Sequence, residues 1–235
     1  MSTEQFQMDI SGINIDVIKK DIKNIHLAVY PPTGRVRLSS PTSMKNESLR
    51  LFIISKLGWI KKHIRNMNSQ IREPEREYIQ GESHWVQGQR YLLNIIEEEA
   101  PPKVIIRNKK YMDLYVRPGS DKAKREEVMK EWYRNRLKEQ IPALIEKWEA
   151  KLDVSVLKWG VKQMKTKWGS CNVEDRRIWL NLELGKKPKH CLDYVVLHEM
   201  IHLKERHHTD RFKALLDHYM PSWKKRREEL NEVVY

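Results

Sequence analysis

Two histidines, His198 and His202, stand four residues apart, and Glu199 directly follows the first of them. On an α-helix, residues i and i+4 point the same way, so both imidazoles can bind one metal ion. The glutamate between them projects about 100° round the helix, where its carboxylate can reach a water on that metal without becoming a ligand. This spacing is typical of zinc hydrolases that use the glutamate as general base.

The residues around this motif predict a buried helix, because almost every other position is apolar. Two neutral imidazoles and a carboxylate are costly to bury without partners, and a metal ion would be such a partner. The apolar positions are Leu192, Tyr194, Val195, Val196, Leu197, Met200, Ile201 and Leu203.

A third ligand is available in the segment that follows the motif. His208 comes six residues after His202, directly before Thr209 and Asp210, either of which can cap a new helix. The chain turns back at this point and can bring a third imidazole to the metal. His207 is the alternative, and we prefer His208 because it adjoins the helix start.

Two segments upstream of the motif resemble those of a known family. They are Lys167–Cys171 and Ile178–Leu184. Together with the motif helix they resemble the YgjP-like family of predicted metal-dependent hydrolases, which is similar to the minimal zinc peptidases and to the SprT and WLM groups. The resemblance runs through most of the chain and is most specific over residues 165–212.

The resemblance implies roles for individual residues. His198, His202 and His208 match the zinc ligands and Glu199 matches the general base, with one Zn²⁺ per chain, although another divalent metal could take its place. It also implies that the strand around residues 178–182 offers its edge to an extended substrate. The candidate residues of the substrate cleft are Lys167, Trp168, Gly169, Ser170 and Asn181.

Apolar periodicity predicts an α+β fold. Alternation predicts a hairpin of strands at residues 25–29 and 36–38 about the turn Pro31–Gly34, then a helix over 47–65. Further strands are expected at 84–97, 103–107, 111–116, 157–161 and 178–182, and a long helix over 121–152. No internal repeat is visible in the sequence.

A break in these patterns at Arg117–Ser120 predicts a domain boundary. Residues 1–118 would form a β-rich N-terminal domain with one helix. Residues 119–235 would form a zincin-like catalytic domain with a long helix, a small sheet, the motif helix and C-terminal helices.

The formal charge of +13 favours anionic partners, so three functions are considered. The first is a metallopeptidase acting on polypeptides. The alternative is a metal-dependent nucleoside triphosphate pyrophosphohydrolase, whose phosphates Lys165–Lys167 would bind. The third is a basic nucleic-acid-associated protein with a SprT-like or structural zinc site.

Other features of the composition bear on the compartment. No signal-like segment and no run of about twenty apolar residues is present, which predicts a cytoplasmic protein without a membrane span. Cys171 and Cys191 are too few and too far apart to predict disulfides or a cysteine zinc site. We expect Cys171 to be a small buried residue. The sequence predicts no oligomeric state.

Overall fold

The computed structural model describes residues 4–30, 33–69 and 76–232, which form a mixed α+β structure of small sheets and helices. The strands are β1 (Glu4–Ile10), β2 (Ile13–Lys20), β3 (His26–Tyr30), β4 (Arg35–Pro41), β5 (Ser83–Val86), β6 (Gln89–Glu97), β7 (Lys103–Arg107), β8 (Tyr111–Val116), β9 (Lys158–Lys162), β10 (Gly169–Asn172) and β11 (Arg177–Asn181). The helices are α1 (Asn46–Ser69), α2 (Lys122–Leu152), α3 (Lys189–Ile201), α4 (Asp210–Tyr219) and α5 (Trp223–Asn231).

The chain divides into two compact units, Met1–Arg72 and Glu73–Tyr235. In the first unit the strands lie in the order β1-β2-β4-β3, with β2 parallel to β4 and the outer pairs antiparallel. The pairing of β3 with β4 confirms the predicted hairpin, whose Pro31 and Pro32 lie outside the described residues. Helix α1 covers the sheet with Leu49, Ile53 and Ile60 fully buried.

The second unit opens with another four-stranded sheet of the same design. Its order is β5-β6-β8-β7, again with a parallel central pair and antiparallel outer pairs, and α2 follows it as α1 follows the first sheet. The structure therefore contains a repeated ββββα arrangement. The repeat was not recognised in the sequence because the two copies share only an alternation of buried positions.

The predicted boundary at residue 118 differs from the division at residue 72. Met112, Leu114 and Val116 of β8 belong to the same buried cluster as Met129 and Tyr133 of α2. The sheet β5–β8 shares its core with the long helix, so the break at Arg117–Ser120 is a turn within one unit.

The third sheet carries the segments on which the family resemblance rests. Its order is β10-β11-β9, with β10 antiparallel and β9 parallel to the central strand β11. Strand β10 was not predicted, and Leu182, which was expected in a strand, begins a short 3-10 helix (Leu182–Gly185). No helix in the described ranges combines the length and apolar character of a bilayer span.

Candidate metal centre

Helix α3 carries the HExxH motif and is held by one partly buried carboxylate. Asp193 accepts hydrogen bonds from the Trp148 indole at 2.8 Å and the Lys147 ammonium at 3.0 Å, both on α2. It also accepts one from the Arg226 guanidinium of α5 at 3.2 Å. Charge-assisted bonds of this kind are about twice as strong as neutral ones, so Asp193 fixes α3 against both helices.

The start of α3 is held by the hairpin between β5 and β6. Gly88 has a φ of +83°, and a Cβ there would lie 2.8 Å from Pro188 Cγ, so a side chain would both strain the turn and collide with Pro188. The Gly88 N–H donates to the Lys186 carbonyl at 2.9 Å. This contact sets where the motif helix begins.

Three histidines converge at the end of α3. The candidate ligand nitrogens of His198, His202 and His208 all lie within 4.8 Å of one another, and Nε2 of His208 is 3.0 Å from Nε2 of His198. Two nitrogens on a tetrahedral zinc would be about 3.3 Å apart, given bonds of about 2.05 Å. His202 is the C-cap of α3, and His208 stands just before α4, whose N-cap Thr209 accepts a bond from the Phe212 N–H.

The chemical state of these imidazoles fits a metal. His202 Nδ1 is 3.2 Å from the Glu205 carbonyl, which makes Nδ1 the donor and leaves the lone pair on Nε2. Burial, reinforced by the two neighbouring imidazoles and Arg227, lowers the pKa of His198 to about 3. Burial also lowers the pKa of His202 and of His208, so all three are neutral at pH 7, as metal ligands must be.

One aromatic ring supports all three histidines. The Phe212 ring centroid lies 4.9 Å from that of His198, 4.7 Å from His202 and 4.8 Å from His208. Phe212 is only 1% exposed. It therefore closes the inner side of the cluster with an apolar surface and restricts the directions in which the imidazoles can turn.

Glu199 is buried beside the third sheet. A Cβ at Gly169 of β10 would come within 2.6 Å of Glu199 Oε1 and 2.7 Å of its Cγ, so the carboxylate packs directly on the strand backbone. Burial raises the pKa of Glu199 to about 8, and the nearby Lys167 charge partly opposes this. A carboxylate whose pKa lies near neutrality can both accept and return a proton at neutral pH.

The three histidines and Glu199 line a cleft of about 800 Å³. Lys167, Trp168, Gly169 and Ser170 line it, as the sequence predicted, and so does Cys171, which is only half-buried rather than fully buried. His207 also lines the cleft but lies outside the three-histidine cluster.

Asn181, also predicted for the cleft, is instead a buried support behind it. Its side chain donates to the carbonyls of Met164 at 3.0 Å and Lys167 at 2.8 Å and accepts from the N–H groups of Met164 and Glu183, both at 3.2 Å. It thereby fixes the loop that leads into β10. Asn181, at the end of the central strand β11, is only 4% exposed, so its side chain points into the protein rather than into the cleft.

The predicted substrate edge was wrong for a related reason. Strand β11, around residues 178–182, has β10 on one side and β9 on the other, so neither of its edges is available. The outer strands of this sheet are β10 and β9, and of these it is β10 whose residues Gly169–Asn172 line the cleft. Trp179 is absent from the lining and packs on Gly160 instead.

Several lining residues were not recognised from the sequence, and three of them carry polar side chains that bear on the function. These three are Tyr194 of α3, Arg206 in the loop before α4 and Arg227 of α5. Tyr194 was assigned to the core, and Arg227 belonged to a basic run, Lys224–Arg227, whose members point in different directions. A periodicity argument for α5 could have separated Arg227 from the residues that face solvent.

Comparisons with known proteins indicate the family to which this chain belongs. The crystal structure of the metallopeptidase zymogen of Methanocaldococcus jannaschii jannalysin is 22% identical and covers 39% of this chain and 93% of that chain, with a TM-score of 0.35. That likeness is too low to support a conclusion. No curated protein matches significantly. The model of the "YgjP-like, metallopeptidase domain" family matches residues 23–233. Because this match spans nearly the whole sequence, the chain belongs to the YgjP-like family of metallopeptidase domains.

Proposed function

We propose that this protein is a zinc-dependent peptidase in which His198, His202 and His208 hold the metal and Glu199 is the general base. The observation that carries the proposal is the convergence of three neutral imidazoles beside a buried carboxylate, at the floor of an open cleft. A structural zinc site would need a fourth ligand, and among the described residues the cluster has three.

The chemistry divides between the metal and the chain. Zinc bound there would supply Lewis acidity, lowering the pKa of a water toward neutrality. The Glu199 carboxylate accepts the proton of the attacking water and later returns it to the leaving amine. Gly169 keeps this carboxylate in place, and Phe212 keeps the imidazoles oriented, so neither group has to reorganise during the reaction.

The edge of β10 favours a polypeptide as substrate. An extended chain can add to an unpaired strand edge through backbone hydrogen bonds, which places its peptide groups along the strand. Gly169 at the start of β10 touches Glu199, so a chain paired with β10 would carry a peptide bond past the base. This arrangement supports cleavage of extended or unfolded segments.

The test compares Glu199→Gln with a matched control. We expect the variant to bind one zinc per chain, measured by metal analysis, while its kcat on an unfolded protein substrate falls by about a hundred- to ten-thousandfold. Glu139→Gln removes an exposed carboxylate of α2 and should keep full activity. His208→Ala should lose the zinc. Normal turnover by Glu199→Gln would reject the assigned role.

The alternative, hydrolysis of nucleoside triphosphates, is favoured by one observation. Lys167, Arg206 and Arg227 line the cleft and could bind phosphate groups. Assays with nucleoside triphosphates and unfolded proteins in the presence of Zn²⁺, Mn²⁺ and Mg²⁺ distinguish the two reactions. Release of pyrophosphate or phosphate without any peptide cleavage would replace the peptidase proposal with this one.

A further inference from the structure

The cleft has an uneven distribution of charge. Lys167, Arg206 and Arg227 line it, and the carboxylates of the lining are Glu174 and the base Glu199. The three cations come from separate elements: the loop before β10, the loop between α3 and α4, and helix α5. Three separate elements therefore each place a positive charge at the same cavity.

Basic residues that neighbour Arg227 on α5 form ion pairs with carboxylates. On α5, Arg226 forms a salt bridge with Asp193 at 3.2 Å and Lys225 lies 4.0 Å from Glu229. Within residues 4–30, 33–69 and 76–232, no salt bridge joins Lys167, Arg206 or Arg227 to a carboxylate. Their charges therefore remain available to a molecule that enters the cleft.

The cations also lie close to the reacting groups. The Lys167 charge acts on Glu199, and the Arg227 charge acts on His198, His208 and Tyr194. Arg206 is two residues from His208 in the chain. A low-dielectric cleft wall strengthens such fields, so a negative group on the substrate gains most near the scissile bond.

We propose that Lys167, Arg206 and Arg227 make this cleft selective for acidic polypeptide segments, with Asp or Glu side chains beside the bond that is cleaved. This inference rests on the proposed peptidase function. A polypeptide is favoured over a nucleotide because the edge strand β10 lies in the same cleft and binds an extended backbone, whereas the cations bind its side chains.

Binding can be measured without turnover on zinc-loaded Glu199→Gln of the full chain. Fluorescently labelled peptides of one length carry Glu, Gln or Lys at the positions flanking a common central pair. We expect the Glu peptide to bind about tenfold more tightly than the Gln peptide, since several exposed ion pairs each contribute modestly. This preference should shrink as the salt concentration rises.

Charge-reversal variants test which residues cause the preference for the Glu peptide. Arg206→Glu and Arg227→Glu, each in the Glu199→Gln background, should abolish the preference for the Glu peptide. Lys204→Glu makes the same change two residues from Arg206 at an exposed position outside the cleft and should keep it. Arg206→Gln and Arg227→Gln, with circular dichroism, provide milder variants in case a reversal perturbs folding.

The outcomes separate this inference from the function on which it rests. Equal binding of the three peptides, or the same loss of preference in Lys204→Glu as in Arg206→Glu, would overturn the acidic selectivity while peptide cleavage by the wild type stands. Tighter binding of a single-stranded oligonucleotide than of the Glu peptide would also overturn it. Wild-type protein that hydrolyses triphosphates and no peptide would remove the proposed function itself.

Discussion

Replacing Gly169 with alanine tests whether the backbone of β10 positions the base. A Cβ at this site would lie 2.7 Å from Glu199 Cγ and 2.9 Å from its Cδ, whereas ordinary contacts begin at 3.4 Å. Cγ must therefore move by about 0.7 Å, the difference between 3.4 and 2.7 Å. Because Cγ is one bond from a Cβ that is fixed by helix α3, the helix or strand must shift, or the side chain must change rotamer.

This displacement should have separate effects on stability and on turnover. Overpacking of this kind costs about 1–3 kcal/mol of unfolding free energy. A displacement approaching 1 Å at a catalytic group can lower kcat by about a hundredfold. Zinc content should stay at one per chain, because the three atoms nearest to the new Cβ all belong to Glu199 and none belongs to an imidazole.

The assay measures zinc content, kcat on an unfolded protein substrate and urea unfolding of Gly169→Ala. Gly58→Ala is the matched control, since a Cβ at Gly58 in α1 would meet no atom within 4 Å. It should keep wild-type kcat and gain up to about 1 kcal/mol from helix propensity. If Gly169→Ala binds zinc and turns over at the wild-type rate, the contact does not position the base.

Three further predictions concern the supports of the site and the sheet that precedes it. Asn181→Ala should lower the free energy of unfolding by about 3 kcal/mol, because buried loop groups lose their partners, and a loss below about 0.5 kcal/mol in urea titrations would contradict this. Phe212→Ala should lower the free energy of unfolding by about 3–5 kcal/mol and weaken zinc binding, measured by competition with a chelator. Unchanged zinc affinity would show that the Phe212 ring does not orient the imidazoles. The third prediction concerns His84, whose pKa is lowered below its ordinary 6.5 by burial. As the pH falls through about 6.5, His84 takes up a proton in the unfolded chain before it does so in the folded chain. The free energy of unfolding should therefore decrease over this pH range. His84→Gln should make this decrease smaller in urea titrations at a series of pH values, and an identical pH profile would refute the assignment.

The secondary structure was predicted best where the signal is local. The long helix α2, the motif helix α3 and the strands β3–β8 follow periodicities of 3.6 or 2 that a short stretch of sequence displays. Strand β10 was missed because its Gly-Ser-Cys-Asn sequence has no apolar alternation and pairs only through its neighbour β11. The domain boundary was misplaced because a turn looks the same whether or not a shared core spans it.

The sequence by itself determined the candidate ligands and the base, because helical geometry fixes the relative directions of His198, Glu199 and His202 within one turn. It also indicated His208, since a helix start next to a histidine is a local pattern. The tertiary structure alone decided which strand edge is open, that Asn181 is a support and not a lining residue, and that Arg206 and Arg227 face the cleft. These properties depend on contacts between residues distant in the chain, such as Gly169 with Glu199, which no local periodicity records.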